Sequence, residues 1–275
     1  MIDLMLAPFV ACMLLVAIHG YFGLHVIARG VIFVDLALAQ MAALGATTGI
    51  LVRIAPDSPA AHLLAVGATG IGAAIFAATR TKRVTRVPHE AIIGIVYVVA
   101  SAAAMLIVSQ APRGSELIKD TLVGTILWIT WPTIVKDAVA YTLIGALLLA
   151  LRRRFEGISF DPEGAAAKGW RVRWWDFLFY FLFGVTVTFS VPVAGVLLVF
   201  TFLVVPAVTA FLFFKPPAPA MPIVAWATGM VACTAGLLAS YEWDLPTGPV
   251  IVCSFGLVLV GAVVVKRFFP ETPAA

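Results

Sequence analysis

The longest uncharged stretch of the chain spans residues 177–214 and reads FLFYFLFGVTVTFSVPVAGVLLVFTFLVVPAVTAFLFF. A helix needs about 20 apolar residues to cross the hydrocarbon core of a membrane, so this stretch is long enough for two spans. Pro192 and Pro206 interrupt or kink these spans, because proline breaks the hydrogen-bond ladder of a helix. Broken helices at membrane depth usually line a cavity, and the pattern therefore favours a transport path.

The composition of the whole chain agrees with this stretch. Of 275 residues, 62% are hydrophobic and 12% are charged, and the mean hydropathy is +1.07. A soluble enzyme could not hide so much apolar surface, and disorder requires the opposite composition. Long unbroken apolar runs exclude a transmembrane β-barrel, and a net charge of only +4 makes nucleic acid a poor partner. The sequence predicts an all-α, polytopic membrane protein with a single transmembrane domain over residues 1–275, in contact with membrane lipid.

Apolar runs of spanning length predict nine transmembrane helices, with eight or ten as alternatives. A shorter stretch, Leu117 to Trp131, is interpreted as a half-helix that enters the membrane and returns, separated from the next span by Pro132. The predicted spans are 4–28, 31–52, 60–79, 91–109, 134–151, 174–190, 193–214, 220–240 and 248–265.

Lysine and arginine residues predict the orientation. With nine spans and an external N-terminus, 14 of the 18 basic residues fall on one side of the membrane and four on the other. Cytoplasmic loops carry the excess of basic residues, so the C-terminus is expected in the cytoplasm and the N-terminus outside.

Small residues recur four apart on the second and third predicted spans. Such spacing lets helix backbones approach closely in lipid, and it predicts packing within the chain more strongly than a seam between two copies. The pairs are Ala39 with Ala43, Gly45 with Gly49, and Ala68 with Gly72.

The segment of about 152–174, called the coupling segment below, contains a complete short-helix signature. Asp161 can cap a helix, Pro162 suits the first helical position, and Glu163 complements the positive end of the helix dipole. Gly169 supplies a left-handed stop. Two turns of helix are not stable alone in water, so the helix must pack on the membrane domain or dock into another protein. The chain contains no GxxxxGK[ST] phosphate loop or other nucleotide site, so if this protein is a pump its motor is a separate chain, and we expect no cofactor bound here.

These motifs together resemble the ABC-3 family, the permease subunits of zinc and manganese ABC importers. Each motif is weak alone, but their order and spacing are specific. The coupling motif FDPEGAAAKG occupies 160–169, a glycine-centred re-entrant motif LVGTIL 122–127, the pair VAGVLL and VPAVTA 193–198 and 205–210, and the external loop DLPTG 244–248. The resemblance implies the fold of a type II ABC importer-like permease in a bacterial plasma (inner) membrane. It also implies a homodimer, two ATPase subunits, an extracytoplasmic solute-binding protein, a transported divalent cation (zinc or manganese) and ATPase coupling through Asp161 to Gly169.

Candidate substrate contacts come from ionisable residues inside spans, where charge is costly. If Arg29 and Gly30 form a tight turn, His25 and Asp35 lie at about the same depth, about 7–8 Å in, and can pair or share a metal ion. The alternative is structural: a salt bridge from Asp35 to Arg29, and a hydrogen bond from His25 to a backbone carbonyl. Gln40 lies five positions beyond Asp35, about 140° around the helix.

The second span departs from the pattern of the family, which commonly has Asp-x-x-x-His there. The family also has a Gly five residues after that His. When Gly45 is aligned with this Gly, Leu36 occupies the position of the Asp and Gln40 that of the His. Because an amide is a weaker zinc ligand than imidazole, a hard-ion contact through Asp35 and Gln40 remains open, and so does another cargo such as a metal chelate.

Two further positions complete the candidates. Glu90 starts the fourth span, where its charge favours a helix N-terminus over an exit gate. His19 is predicted to be a packing histidine. A self-powered secondary transporter is the competing class, and the capped helix in the coupling segment argues against it.

Overall fold

The computed structural model describes residues 2–55, 58–80, 87–109 and 124–268. In these residues the fold consists of ten α-helices and one 3₁₀ turn, without a β-strand. The helices are α1 (Ile2–Arg29), α2 (Val34–Leu51), α3 (Pro59–Thr79), α4 (His89–Val108), α5 (Trp131–Ala150), α6 (Arg152–Phe160), α7 (Pro162–Ala167), α8 (Val172–Phe213), α9 (Met221–Glu242) and α10 (Thr247–Phe268); the 3₁₀ turn is Ile126–Trp128.

The nine predicted spans are all helical. In the described part of the chain, seven helices have the length and hydropathy of membrane spans, and α8 alone covers two of the predicted segments. The short helix α2 covers another. The prediction of a polytopic helical membrane protein is confirmed.

Helix α8 folds back on itself at Gly195, whose φ of 74° and ψ of 158° are not helical. In a straight helix, Phe183 and Leu203 would lie about 30 Å apart. Instead, both residues lie next to α1. The ring of Phe183 lies 4.8 Å from that of Phe22, and the Leu203 carbonyl lies against Gly23. The break thus turns 42 residues into two spans, and it occurs at Gly195 because this backbone conformation is essentially restricted to glycine.

The first half of α8 forms the centre of the bundle. Phe179, Tyr180 and Phe183 are fully buried, and α8 packs against α1, α2, α3, α9 and α10. Outer helices expose large apolar side chains instead, such as Leu106 on α4 and Leu257 on α10. Exposed leucines on outward faces are expected where the surrounding solvent is lipid.

The small residues of α2 and α3 form a tight seam between these two helices, as predicted. A Cβ at Gly45 would lie 2.4 Å from the Leu64 carbonyl oxygen, and one at Gly72 would lie 3.2 Å from Met41 Cγ. Larger side chains at either position would push the helices apart. The seam holds α2 inside the bundle, and this position buries Asp35.

The prediction of a half-helix is wrong for residues 124–130, where only a 3₁₀ turn forms. Residues 117–123 lie outside the described residues. Gly124 has a left-handed φ of 71°, and the Thr125 N–H donates to the Val193 carbonyl at 3.0 Å. The break at Gly195 frees that carbonyl from its helical partner. The backbone of this segment therefore completes the hydrogen bonds of α8, and only the 3₁₀ turn forms locally.

Candidate functional site

The coupling segment contains the capped helix that its sequence predicts. Asp161 accepts a hydrogen bond from the Gly164 N–H through Oδ1 at 2.9 Å, and α7 begins at Pro162. Gly169 has a φ of 72°. Its N–H donates to Ala166 and that of Trp170 to Ala165, at 3.0 and 3.2 Å. This pair of bonds is a Schellman motif, which satisfies the last carbonyls of a helix.

Trp170 fastens the end of α7 onto α6. Its ring edge lies against Gly157, where a Cβ would come within 2.9 Å, and the Arg154 guanidinium stacks over the ring at 4.2 Å. Asp161, Glu163 and Lys168 are exposed. In α7 only Ala165 is buried. The two helices form one compact unit with a charged, accessible tip.

A buried network, the polar junction, lies under this unit and consists of Arg29, Arg80, Asp176, Ser159 and His25. Asp176 Oδ1 accepts hydrogen bonds from Arg29 Nη1, at 2.7 Å, and from Arg80 Nη1. The side chains of Arg29 and Asp176 are 0% and 1% exposed. Ser159 Oγ lies 2.9 Å from Arg29 Nε and 3.0 Å from His25 Nδ1. The network joins α6 to α1, α8 and the end of α3.

Sequence analysis missed three members of this junction, Arg80, Asp176 and Ser159. Asp176 gave a usable signal, since it is a carboxylate at the start of the longest apolar stretch. Ser159 gave none, because a serine in a helix is common and its partners are distant in sequence.

His25 and Asp35 do not form the expected pair. His25 bonds to Ser159, and its ring packs 5.7 Å from those of Phe160 and Phe179. The structural alternatives are also wrong: Arg29 pairs with Asp176, and His25 bonds to a hydroxyl and not to a carbonyl. The turn at Gly30 does form, but α6 and α8 occupy the space around His25 and Arg29.

Asp35 lies in the first turn of α2 and is 1% exposed. Its Oδ1 has no hydrogen-bond partner. An unpaired carboxyl oxygen that is buried within a membrane span is costly in free energy.

The remaining candidates differ in their surroundings. Gln40 is partly buried on the same helix as Asp35. Glu90 lies in the first turn of α4, but its Oε1 is buried without a partner and it caps no backbone group. His19 is fully buried; its Nδ1 bonds to the Leu15 carbonyl at 3.0 Å, as expected of a packing histidine, while its Nε2 has no hydrogen-bond partner.

Two adjoining clefts open along α1 and α5. One of about 340 Å³ includes His25, Arg152 and Glu156, and the other, of about 260 Å³, includes Tyr141 and Thr142. Neither cleft includes Asp35. Among the described residues, no group of three or more His, Cys, Asp or Glu side chains could hold a metal ion.

The fold and the coupling segment define a class of protein: a polytopic permease whose accessible two-helix unit is joined to the centre of the helix bundle. Residues 1–266 match the model of the ABC 3 transport family, and the chain belongs to this family. It is the membrane permease subunit of an ABC transporter and is not itself the ATPase.

Individual relatives agree with this assignment. The chelated iron transport system membrane protein YfeD of Yersinia pestis is 30% identical over 75% of this chain and 69% of its own length. The manganese transport system membrane protein MntB of Synechocystis is 27% identical over 72% of this chain and 66% of its own. Among solved structures, PsaBC from Streptococcus pneumoniae covers 94% of this chain and 90% of its own, with a TM-score of 0.78 and 20% identity. The last similarity is one of fold.

Proposed function

We propose that this chain is the permease subunit of an ABC importer for divalent metal ions, with manganese or zinc as the first candidates. The observation that carries the proposal is the match to the ABC 3 transport family over residues 1–266. The names of relatives, which include a manganese transport system membrane protein, support the class of cargo. Alternating access in this permease is driven by separate ATPase subunits.

The ATPase docks on the coupling segment in this proposal. A capped α7 with Asp161, Pro162, Glu163 and Gly169 exposed at its tip supports this, because a helix of six residues gains its stability from packing and needs a partner for its free face. A homodimer of the permease and an extracytoplasmic solute-binding protein complete the complex.

We assign the coupling segment to the cytoplasm of a bacterial cell with the permease in its plasma (inner) membrane. The basic residues support this orientation. Contacts place Arg29 and Arg80 at the same end of the bundle as α6, and Arg152, Arg153 and Arg154 lie on α6 itself. The external side then carries the N-terminus and the loop between α9 and α10.

Asp35 is the substrate contact we propose within the membrane, with Gln40 five positions further along α2 and Glu90 at the start of α4. Its unpaired, buried oxygen supports this role. A carboxylate and an amide provide oxygen ligands, which favour manganese over zinc. Contact with the ion is transient, as transport requires, so a complete set of ligands is unnecessary.

His25 was a second candidate ligand. We assign it to the polar junction instead, because its Nδ1 is engaged by Ser159 and aromatic rings surround it.

The test is ATP hydrolysis by the reconstituted complex of permease, ATPase and solute-binding protein in lipid vesicles. Mn²⁺ or Zn²⁺ is expected to stimulate hydrolysis and to accumulate in the vesicles on the side opposite the ATPase, since the proposed direction is import. If the complex assembles and hydrolyses ATP without responding to either ion, the metal assignment is wrong while the family assignment stands.

A metal chelate is the second candidate cargo. Two observations favour it: Leu36 and Gln40 replace the Asp and His of the usual pattern, and a relative is named as a chelated iron transport protein. Stimulation by a ferric chelate, with none by the free ions, would select this candidate in the same assay.

A further inference from the structure

The polar junction joins four elements through a single carboxylate and a single hydroxyl. Asp176 on α8 receives both Arg29, from the end of α1, and Arg80, from the end of α3. The Arg80 Nη2 also donates to the Ile158 carbonyl of α6 at 3.4 Å. Arg29 and Arg80 thus each bond both to Asp176 and to a residue of α6.

Ser159 is the link between this ion network and the coupling segment. Its hydroxyl accepts from Arg29 Nε at 2.9 Å and lies 3.0 Å from His25 Nδ1, and the residue is 3% exposed. Arg29 thus holds α6 with one nitrogen and α8 with another. A guanidinium offers donors in a rigid fork, so a movement of Ser159 must move Arg29 and, through it, Asp176.

Aromatic packing makes the same connection on the apolar side. Arg29 stacks over the Phe179 ring at 3.9 Å, and Phe179 contacts Phe155 of α6 at 5.9 Å. Phe22 of α1 lies on the other side of Phe179, at 5.5 Å. The Arg29 side of the junction therefore lies among aromatic rings, where its hydrogen bonds are sheltered from competition by water.

The charges do not balance within the junction. Two guanidiniums share one carboxylate, and Arg29 Nη2 and Asp176 Oδ2 have no hydrogen-bond partner although both are buried. A buried network with unused donors and acceptors stabilises a fold less than a fully hydrogen-bonded one. The junction is therefore not arranged for maximum stability. Unused groups allow the same residues to form a second set of bonds after a small shift of α6.

We propose that the Arg29–Ser159 link is the joint that transmits movement of the coupling segment to α1, α3 and α8. Ser159 and Arg29 act as positioning residues for transport and contact neither the cargo nor ATP. The inference rests on the proposed function, since it assumes that an ATPase moves the coupling segment.

The test uses two variants that break the link in different ways. Ser159→Ala removes the hydroxyl and leaves the ion pair. Arg29→Lys keeps the charge beside Asp176, but one ammonium on a flexible chain lacks the fork that reaches Ser159 and Asp176 together. The matched control is Ser254→Ala on α10, a buried serine whose hydroxyl donates only to its own helix.

Each variant is reconstituted with its ATPase and solute-binding protein, and cations transported per ATP hydrolysed are measured with Mn²⁺ and Zn²⁺. We expect the ratio to fall at least about fivefold in both junction variants, with ATP hydrolysis and co-purification of the ATPase within about twofold of wild type. The Ser254→Ala ratio stays at the wild-type value.

Two results would contradict the proposed role of the Arg29–Ser159 link. One is an unchanged ratio in both variants. The other is a parallel loss of hydrolysis, transport and thermal stability, which a merely structural role would produce. A wild-type complex that transports no cation defeats the proposed function first, so the two failures are distinguishable.

Discussion

Of the candidate residues in the described part of the chain, Asp35 is the one whose burial costs the most free energy. It is buried in the first turn of α2, without a partner for Oδ1, and the α2–α3 seam keeps it there. Insertion of such a residue costs about 2.5–3.5 kcal/mol at the centre of a membrane, and less towards the ends of a span. The substrate contact proposed for Asp35 would account for a carboxylate at this position.

Replacing Asp35 by Asn tests that function. Because the amide removes a buried charge, the thermal stability of Asp35→Asn should match or exceed that of the wild type. Metal-stimulated ATP hydrolysis should fall by at least about tenfold, equivalent to roughly 1.4 kcal/mol. Thermal unfolding in detergent and the vesicle assay measure the two quantities.

Asp137→Asn is the matched control, because Asp137 on α5 is also buried with an unpaired Oδ1. We expect it to retain stimulation by the metal. Equal losses in both variants would mean that the assay reports loss of any buried carboxylate, and Asp35 would then have no special role.

At the scale of elements, hydrogen bonds close both ends of the short helix α7. Six residues form too short a helix to persist alone, and the Asp161 cap and the Schellman motif at Gly169 satisfy its free backbone groups. Gly164 belongs to the same device, since the Asp161 carboxylate occupies the space that a Cβ there would need. The tip of the coupling segment is thus held in one conformation for its partner.

Removal of the cap should loosen that tip. We expect Asp161→Ala to cost about 0.5–2 kcal/mol of local helix stability and to weaken binding of the ATPase several-fold, because the partner must then order α7 itself. Asp161→Ser restores the cap with a different side chain and should bind as the wild type does. Affinity is measured by titrating the ATPase onto the permease in nanodiscs. Weak binding by both variants would assign the effect to the lost charge and not to the helix.

At the scale of the whole molecule, the fold-back of α8 sets the topology. The fold-back places both ends of α8 at the end of the bundle that carries α6. Helices α1 and α10 end there as well. Contacts of Arg29 with Ser159 and of Lys266 with the Phe213 ring, 6.0 Å away, agree with this arrangement.

Thiol labelling checks the resulting orientation in cells. In a Cys253→Ala background, where the two remaining cysteines are buried, a membrane-impermeant maleimide should label Arg53→Cys in intact cells. It should label Lys168→Cys only after the membrane is opened. Both positions are exposed at opposite ends of the bundle. The reverse pattern would contradict the cytoplasmic assignment of the coupling segment.

Features that depend on local chemistry or on composition could be predicted from the amino-acid sequence. Apolar runs predicted nine helical segments, because a helix in lipid must satisfy its own backbone. Capping residues predicted α7, because the effects of Asp161, Pro162 and Gly169 on the backbone extend over only about one helical turn. Small residues on the second and third spans predicted close packing within the chain, because close approach of helices requires them.

Only the tertiary structure decided which polar groups meet. His25 and Asp35 are ten residues apart at similar depth, yet His25 bonds to Ser159, 134 positions away, and Arg29 pairs with Asp176, 147 positions away. The backbone of Thr125 completes hydrogen bonds of the break in α8, which no local pattern could indicate. Such partners depend on how distant helices pack, and helix packing within lipid is set by shape complementarity over many side chains and not by a short motif.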